Sequence, residues 1–210
     1  MLKLYGLPGA CPMAVHIILE HLSVDYEMVM VDRDKLTSPE HLAVNPMAQA
    51  PSLETEDGLI TESVAMLLHI DEKYGQGRTS PPPGSWQRAR MMMMLMFMAS
   101  QEHPAFSLWL RPFRWLEDEA EQENLKESAR KRFAVCLERL DGWLEGRDWL
   151  IGDGMTLADP LALVHIRWGL RVTPPSSEYP NLWRFAQNMA DVPAVRRVMA
   201  EEGVGLDANP

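Results

Sequence analysis

The sequence predicts a small α/β unit followed by a larger all-helical unit. Up to Tyr74, short runs of β-forming residues alternate with helical patterns. Residues 75–85 then contain three glycines and three successive prolines, and only helical periodicity follows them. Because neither a strand nor a helix interior accommodates a run of prolines, we place the units at 1–75 and 86–210 and a linker at 76–85.

The chain opens with a strand, a loop and a helix. Residues 2–5 alternate apolar and polar side chains and stop at Gly6, which predicts a short strand and a turn. Apolar residues then recur at helical spacing from 15 to 22. The predicted helix holds Cys11 and Pro12 in its first turn.

The rest of the α/β unit is predicted from β-forming runs, a proline early in a helix and an Asp-Gly turn. The predicted elements are a strand at 26–31, a helix at 38–44 with Pro39 near its start, two strands at 51–53 and 59–61 joined through Asp57-Gly58, and a helix at 62–74. Asp-Gly favours a hairpin because it supplies the positive backbone angles of a tight turn.

From Trp86 onward the pattern is helical. Two apolar stripes, Phe133, Leu137, Leu140, Leu144 and Leu157, Leu161, Val164, Trp168, follow helical spacing. The charge-rich stretch 117–132 is interpreted as a solvated helix face, and Thr156 and Asp159 are spaced as a capping box. The methionines between 91 and 98 cover every side of their helix, which predicts burial or a dimer contact.

Composition narrows the class of partner. The 210 residues are 46% hydrophobic and carry a formal net charge of −10, which disfavours nucleic acid and anionic membrane surfaces. The longest apolar run, 91–99, is about half of the roughly 18 residues that suggest a membrane span. The start of the chain lacks signal-peptide features, so we expect a cytoplasmic protein in which Cys11 and Cys136 are free thiols.

One cysteine occupies a position where thiols are often reactive. A helix N-terminus favours a thiolate, so we expect the pKa of Cys11 to be lowered. The residue three positions on is Ala14 rather than a second cysteine, which excludes dithiol redox cycling. The alternative is that Cys11 is simply a small buried residue.

Two further features stand where a ligand could bind. Pro51 opens a strand, and a cis bond before it would turn the backbone of Ala50 outward to pair with an extended peptide. The alternative is a simple turn proline. Glu62 and Ser63 open a helix, so backbone N–H groups and the Ser63 hydroxyl could hold a carboxylate. Its alternative is an ordinary helix cap.

Together these motifs resemble the cytosolic glutathione transferases, and the bacterial β class most closely. The matching segments are Pro8-Gly9-Ala10-Cys11, Asn45 through Pro51, Thr61-Glu62-Ser63-Val64-Ala65, Glu102-His103 with Leu110-Arg111-Pro112, and Ile151 through Asp159. The resemblance implies a thioredoxin-like α/β domain followed by an α-helical domain, usually in a homodimer. It also implies glutathione as co-substrate, with no metal.

The resemblance assigns roles to individual residues. The glutathione-binding residues it implies are Lys35, Gln49, Ala50, Pro51, Glu62 and Ser63. Cys11 lies against the glutathione sulfur, with His103 nearby, while a cap before Pro104 is the alternative for that histidine. Tyr5 matches the first of two tyrosines common before the loop, and Gly6 takes the place of the second. Ala48 and Pro104 also depart from the family pattern.

The implied activity is attack of glutathione on an electrophile or thiol–disulfide exchange, with exchange expected to be the stronger. The second substrate is then an apolar compound or a disulfide. Aromatic residues that follow the linker, Phe97, Phe106, Trp109, Phe113 and Trp115, are expected near that substrate or in the core. The alternatives are a non-enzymatic interaction protein of the same fold and a glutathione-dependent lyase, isomerase or dehalogenase.

Overall fold

A computed structural model describes residues 1–207 and gives the α/β unit four strands and three helices. They are β1 (Leu2–Gly6), α1 (Pro12–Leu22), β2 (Tyr26–Met30), α2 (Pro39–Val44), β3 (Ser52–Thr55), β4 (Gly58–Thr61) and α3 (Ser63–Ile70). The strand order is β2-β1-β3-β4, with β1 and β2 parallel and the other pairs antiparallel. Each predicted strand and helix of this unit is confirmed, and a 3₁₀ turn over Arg33–Thr37 was not foreseen.

Burial explains why this sheet forms. Leu4 of β1 and Leu53 of β3 face each other in the register and are fully buried, as expected for strands between neighbours. Helix α1 covers the sheet and is buried along almost its whole length. Gly6 lies where β1 meets this helix, and a side chain there would come within 2.8 Å of the Pro12 Cβ atom. The loss of a second tyrosine therefore has a steric reason.

The second unit is helical throughout the described residues. Its helices are α4 (Trp86–Phe97), α5 (His103–Leu110), α6 (Glu119–Trp143), α7 (Ala158–Gly169), α8 (Pro180–Asp191) and α9 (Pro193–Glu202). A π-helical turn, Met98–Glu102, joins α4 directly to α5. This architecture confirms the predicted α/β thioredoxin-like domain followed by an all-α domain.

The segment predicted as a linker is packed rather than loose. Thr79 and Ser80 are buried, and both hydroxyls donate to the carboxylate of Asp71, at 2.7 and 2.5 Å. The Thr79 carbonyl accepts a hydrogen bond from the Leu157 amide at the start of α7, at 2.9 Å. These contacts fix the helical unit against the end of the α/β unit, and so fix the cleft between them.

Several smaller expectations can be compared with the structure. The Asp159 carboxylate accepts from the Thr156 amide and hydroxyl, as the capping-box spacing predicts, and burial raises its pKa to about 6. In the hairpin turn only Gly58 has a positive φ. On α4, Met93 and Met96 are exposed, so this helix is not buried on every side. None of the described helices is long and apolar enough to cross a membrane.

Candidate active site

A cleft of about 660 Å³ lies between the two units. Seven residues singled out from the sequence line it, namely Cys11, Gln49, Ala50, Pro51, Glu62, Ser63 and His103. They come from four separate stretches of the α/β unit and the helical unit. The cleft has a volume typical of small-molecule sites, which span about 300–1,000 Å³.

Cys11 caps the N-terminus of α1 and is 9% exposed. Burial raises the pKa of its thiol to about 12, while the Ser63 hydroxyl and the positive charge of Arg111 act in the opposite direction. The expectation of a lowered pKa is therefore wrong. Desolvation disfavours the thiolate more strongly than the helix N-terminus favours it.

The loop that carries Cys11 is held by the helical unit. The Gly9 amide donates to the Glu202 carboxylate at 2.7 Å, and the Trp168 indole N–H donates to the Gly9 carbonyl at 3.0 Å. Gly9 has a φ of +65°, and a side chain there would come within 2.8 Å of the Arg167 guanidinium. Glycine is required at this position by both its backbone angle and the close approach of Arg167.

The segment before β3 forms one wall of the cleft. The Ala50–Pro51 peptide bond is cis, which confirms that alternative for Pro51. The Gln49 carbonyl accepts a hydrogen bond from the Asn45 side-chain amide at 3.0 Å, and the same amide donates to Ser52. The buried Asn45 thus connects the backbone before the proline with the Ser52 side chain after it. Ala48 adopts a left-handed φ of +53°, a backbone conformation that glycine adopts more readily than alanine.

The start of α3 forms the adjoining wall. Glu62 has a φ of +68°, a strained conformation for a residue other than glycine, and lies directly before the helix. No side chain caps α3 within the described chain, so the simple cap alternative for Glu62 and Ser63 does not hold. The first amide groups of the helix are left available to an anion in the cleft.

His103 contributes an imidazole from the opposite side. It begins α5, and its ring lies 5.3 Å from the Trp168 ring, measured between centroids. Burial, together with the neighbouring His165 and Arg111, lowers the pKa of His103 to about 4. At neutral pH the ring is therefore uncharged. The N-cap residue of α5 is Glu102, so His103 is the first residue of the helix and not its cap.

Behind His103 lies a buried pair that the sequence did not indicate. The His165 Nδ1 atom is 3.0 Å from a carboxylate oxygen of Glu102, and both side chains are inaccessible to solvent. The ring of His165 also stacks on Trp168 at 4.7 Å. In the sequence, His165 lies within an apolar helix pattern that gives it no separate role. Glu102 lies 63 positions earlier, so no sequence motif connects the two residues.

Two residues named from the sequence do not line the cleft. The hydroxyl of Tyr5 donates to Glu54 at 3.1 Å. The ammonium group of Lys35 pairs with Asp32 at 2.6 Å and is largely exposed. Arg33 lines the cleft near this point instead. Tyr5 and Lys35 therefore lie outside the candidate site.

Other residues lining the cleft were missed as site residues. Five arginines line it, Arg33, Arg111, Arg114, Arg167 and Arg171, against two acidic residues, Glu62 and Asp207. Arg111 lies within a quoted motif, but nothing in a single sequence shows that these arginines meet. Of the five aromatic residues expected near the second substrate, Phe106 alone lines the cleft, where it stacks on Trp168 at 4.7 Å.

Comparison with known proteins places this geometry in context. Residues 1–72 match the family "Glutathione S-transferase, N-terminal domain", and residues 87–193 match "Glutathione S-transferase, C-terminal domain". Glutathione S-transferase GST-4.5 of Xanthomonas campestris pv. campestris is 30% identical over 203 residues, which cover 97% of this chain and 100% of that protein.

Two solved structures of glutathione S-transferases are also similar to this chain. A sphingomonad glutathione S-transferase complexed with glutathione is similar with a TM-score of 0.84 and 31% identity, covering 97% of this chain and 100% of that chain. A bacterial beta-class glutathione S-transferase from Sphingomonas chungbukensis is similar with a TM-score of 0.84 and 29% identity, at the same coverage. The similarity therefore extends over both units of the chain.

Proposed function

Because this chain belongs to the glutathione S-transferase family, we propose that it is a glutathione transferase whose cleft holds glutathione against the α/β unit and a second substrate against the helical unit. The observation that carries the proposal is the meeting of Cys11, the Ala50–Pro51 segment, Glu62-Ser63 and His103 in one cleft.

Glutathione binding follows from the chemistry of the two walls. The backbone of Ala50 offers strand-like hydrogen bonds to the cysteinyl part of an extended peptide. The uncapped start of α3 and the Ser63 hydroxyl suit the carboxylate of the γ-glutamyl end. The carboxylate of Glu62 suits its ammonium group, since an ion pair of this kind also forms charge-assisted hydrogen bonds.

The sulfur of glutathione then lies near Cys11 and His103. With a pKa of about 12, Cys11 is a neutral thiol at pH 7 and donates a hydrogen bond to the glutathione thiolate. The uncharged His103 ring offers a second polar contact on the same side. The thiol proton of glutathione leaves to solvent, and the thiolate attacks the electrophile. In this arrangement Cys11 stabilises the nucleophile and is not itself consumed.

Glutathione affinity tests the proposal. Isothermal titration calorimetry of the wild type should detect binding at millimolar glutathione or below. Glu62→Gln should weaken binding about tenfold, since it removes a charge-assisted contact worth about 1.5 kcal/mol or more. The matched control is Glu56→Gln, an exposed carboxylate on the hairpin that pairs with Lys73 and does not line the cleft. No binding by the wild type would favour a non-enzymatic interaction protein.

The assembly and location complete the proposal. A homodimer would cover Met93 and Met96, which are exposed three residues apart on one side of α4. Light scattering should then give twice the mass of 23.9 kDa. We place the protein in the cytoplasm, where free thiols such as Cys11 and Cys136 stay reduced and glutathione is available. Cell fractionation checks this location.

A further inference from the structure

Three arginine side chains add a cluster of positive charge to the lining of the cleft. Arg33 comes from the α/β unit, while Arg111 and Arg114 follow α5 of the helical unit. We call these three residues the arginine cluster. Arg167, which also lines the cleft, differs from these three residues because it donates to the Gly205 carbonyl at 2.7 Å.

The arginine cluster has no anionic partner within residues 1–207. No described carboxylate lies within salt-bridge distance of its three guanidinium groups, and the nearby Asp32 is already paired with Lys35. The Nε atom of Arg111 is buried without a hydrogen-bond acceptor. A buried donor without an acceptor costs about 1–3 kcal/mol. A ligand that supplies an acceptor there is therefore favoured.

The cluster members are also near enough to repel one another. Burial lowers the pKa of Arg111, and the positive charges of Arg114 and Arg33 act in the same direction. The chain as a whole carries a formal net charge of −10, so a concentration of positive charge at this point runs against its overall balance. The positive potential of the cluster attracts anions, and a bound anion reduces the repulsion among the guanidinium groups.

Apolar side chains of the helix before this cluster also line the cleft. Phe106 and Leu110 of α5 are two of them, and Leu110 directly precedes Arg111. The planar guanidinium group matches a carboxylate in a bidentate geometry. Resting on the proposed glutathione transfer, we propose that the second substrate is an apolar or aromatic electrophile that carries a carboxylate, which the arginine cluster binds while the electrophilic carbon faces the glutathione sulfur.

A matched pair of aryl chlorides tests this substrate class. With 4-chloro-3-nitrobenzoate or its neutral amide, the glutathione thiolate forms a C–S bond at the chlorine-bearing carbon. Chloride leaves with the electrons of the C–Cl bond, and the thiol proton goes to solvent. After division by the uncatalysed rates, kcat/KM of the wild type should favour the benzoate by about tenfold for each charge-assisted contact that the cluster makes to it.

Two exposed members of the cluster can be changed singly. Arg33→Gln and Arg114→Gln should each lower the ratio of benzoate to amide kcat/KM about tenfold. Arg196→Gln is the control, because Arg196 pairs with Asp191 on α8 and lies outside the cleft. It removes the same charge and should leave the ratio unchanged.

Three outcomes of these measurements would contradict the inference. A ratio that stays at the wild-type value in both cluster variants would show that the cluster does not bind the substrate carboxylate. An equal fall for both chlorides with a raised KM for glutathione would mean that the cluster holds a carboxylate of glutathione. No glutathione-dependent turnover of either compound would overturn the proposed transfer itself, and this inference with it.

Discussion

At the scale of single residues, Cys11 shows how two opposing effects are decided by burial. A helix N-terminus and a nearby guanidinium group favour a thiolate. Burial favours the neutral thiol, and it is the larger effect, since the pKa of Cys11 rises to about 12. Thiol–disulfide exchange needs the thiolate. Exchange in which Cys11 itself is the attacking thiol is therefore disfavoured at neutral pH, while the expectation that exchange exceeds conjugation stays a prediction.

The pH dependence of mixed-disulfide formation tests this conclusion. In the exchange, the Cys11 thiolate attacks one sulfur of glutathione disulfide and releases glutathione thiolate. Because pH 7 and pH 9 both lie below the pKa of about 12, the thiolate fraction should rise tenfold per pH unit. The initial rate, followed by mass spectrometry of the intact protein, should rise about 100-fold over this range.

The control for this measurement is Cys11→Ser, which should form no adduct at position 11. Cys136 is buried, and its pKa is raised by burial to about 11, so peptide mapping must separate the two thiols. A rate that levels off near pH 8 would contradict the raised pKa. It would restore the sequence-based view of Cys11 as a reactive thiolate.

At the scale of elements, the π-helical turn before α5 places two neighbouring residues in different surroundings. Glu102 is fully buried against His165 of α7, whereas the next residue, His103, lines the cleft. One oxygen of Glu102 and the Nε2 atom of His165 are buried without hydrogen-bond partners. The pair thus joins two helices at a cost in desolvation.

We predict that replacing one residue of this pair destabilises the protein more than replacing both residues. Glu102→Leu should destabilise the protein by about 3 kcal/mol, because the buried His165 ring loses its partner. The double variant Glu102→Leu, His165→Leu should recover most of this loss, since apolar residues often replace a buried polar pair at little cost. Urea unfolding of the four proteins in the cycle measures the coupling.

A surface pair gives the comparison for this cycle. Glu123 and Lys126 form an exposed ion pair on α6, and Glu123→Leu should leave the unfolding midpoint nearly unchanged. If the double variant is as unstable as Glu102→Leu, the loss comes from poor packing of leucine. The account of an unpartnered His165 would then be wrong.

At the scale of the whole molecule, the sequence predicted the fold more completely than the site. Hydrophobic periodicity and the proline run were sufficient for the order of strands and helices, because these signals are local. The α/β wall of the cleft was also predictable, since Ala50, Pro51, Glu62 and Ser63 lie in short recognisable motifs. The arginine cluster was not, because its members meet only when the two units pack.

The contact between the helical unit and the Cys11 loop is a second feature that could not be predicted from the sequence. Glu202, in the last turn of α9, accepts from the Gly9 amide at 2.7 Å and lies 2.9 Å from the His16 Nδ1 atom of α1. It stands 193 positions from Gly9 in the sequence. The position of Cys11, two residues after Gly9, therefore depends on the far end of the chain.

We predict that Glu202→Ala frees this loop. The Gly9 amide and the His16 ring would lose a common acceptor, which should destabilise the protein by about 2 kcal/mol. Hydrogen exchange at the backbone amides of residues 9–11 should become faster. The kcat for glutathione transfer should fall, because the Cys11 loop is no longer held in place. The control is Glu201→Ala, whose half-exposed carboxylate approaches His16 at 3.3 Å without bonding to Gly9. If both variants increase the rate of amide hydrogen exchange at Gly9 equally, the cause is a general destabilisation of α9. The contact between Glu202 and Gly9 would then have no specific effect on the loop.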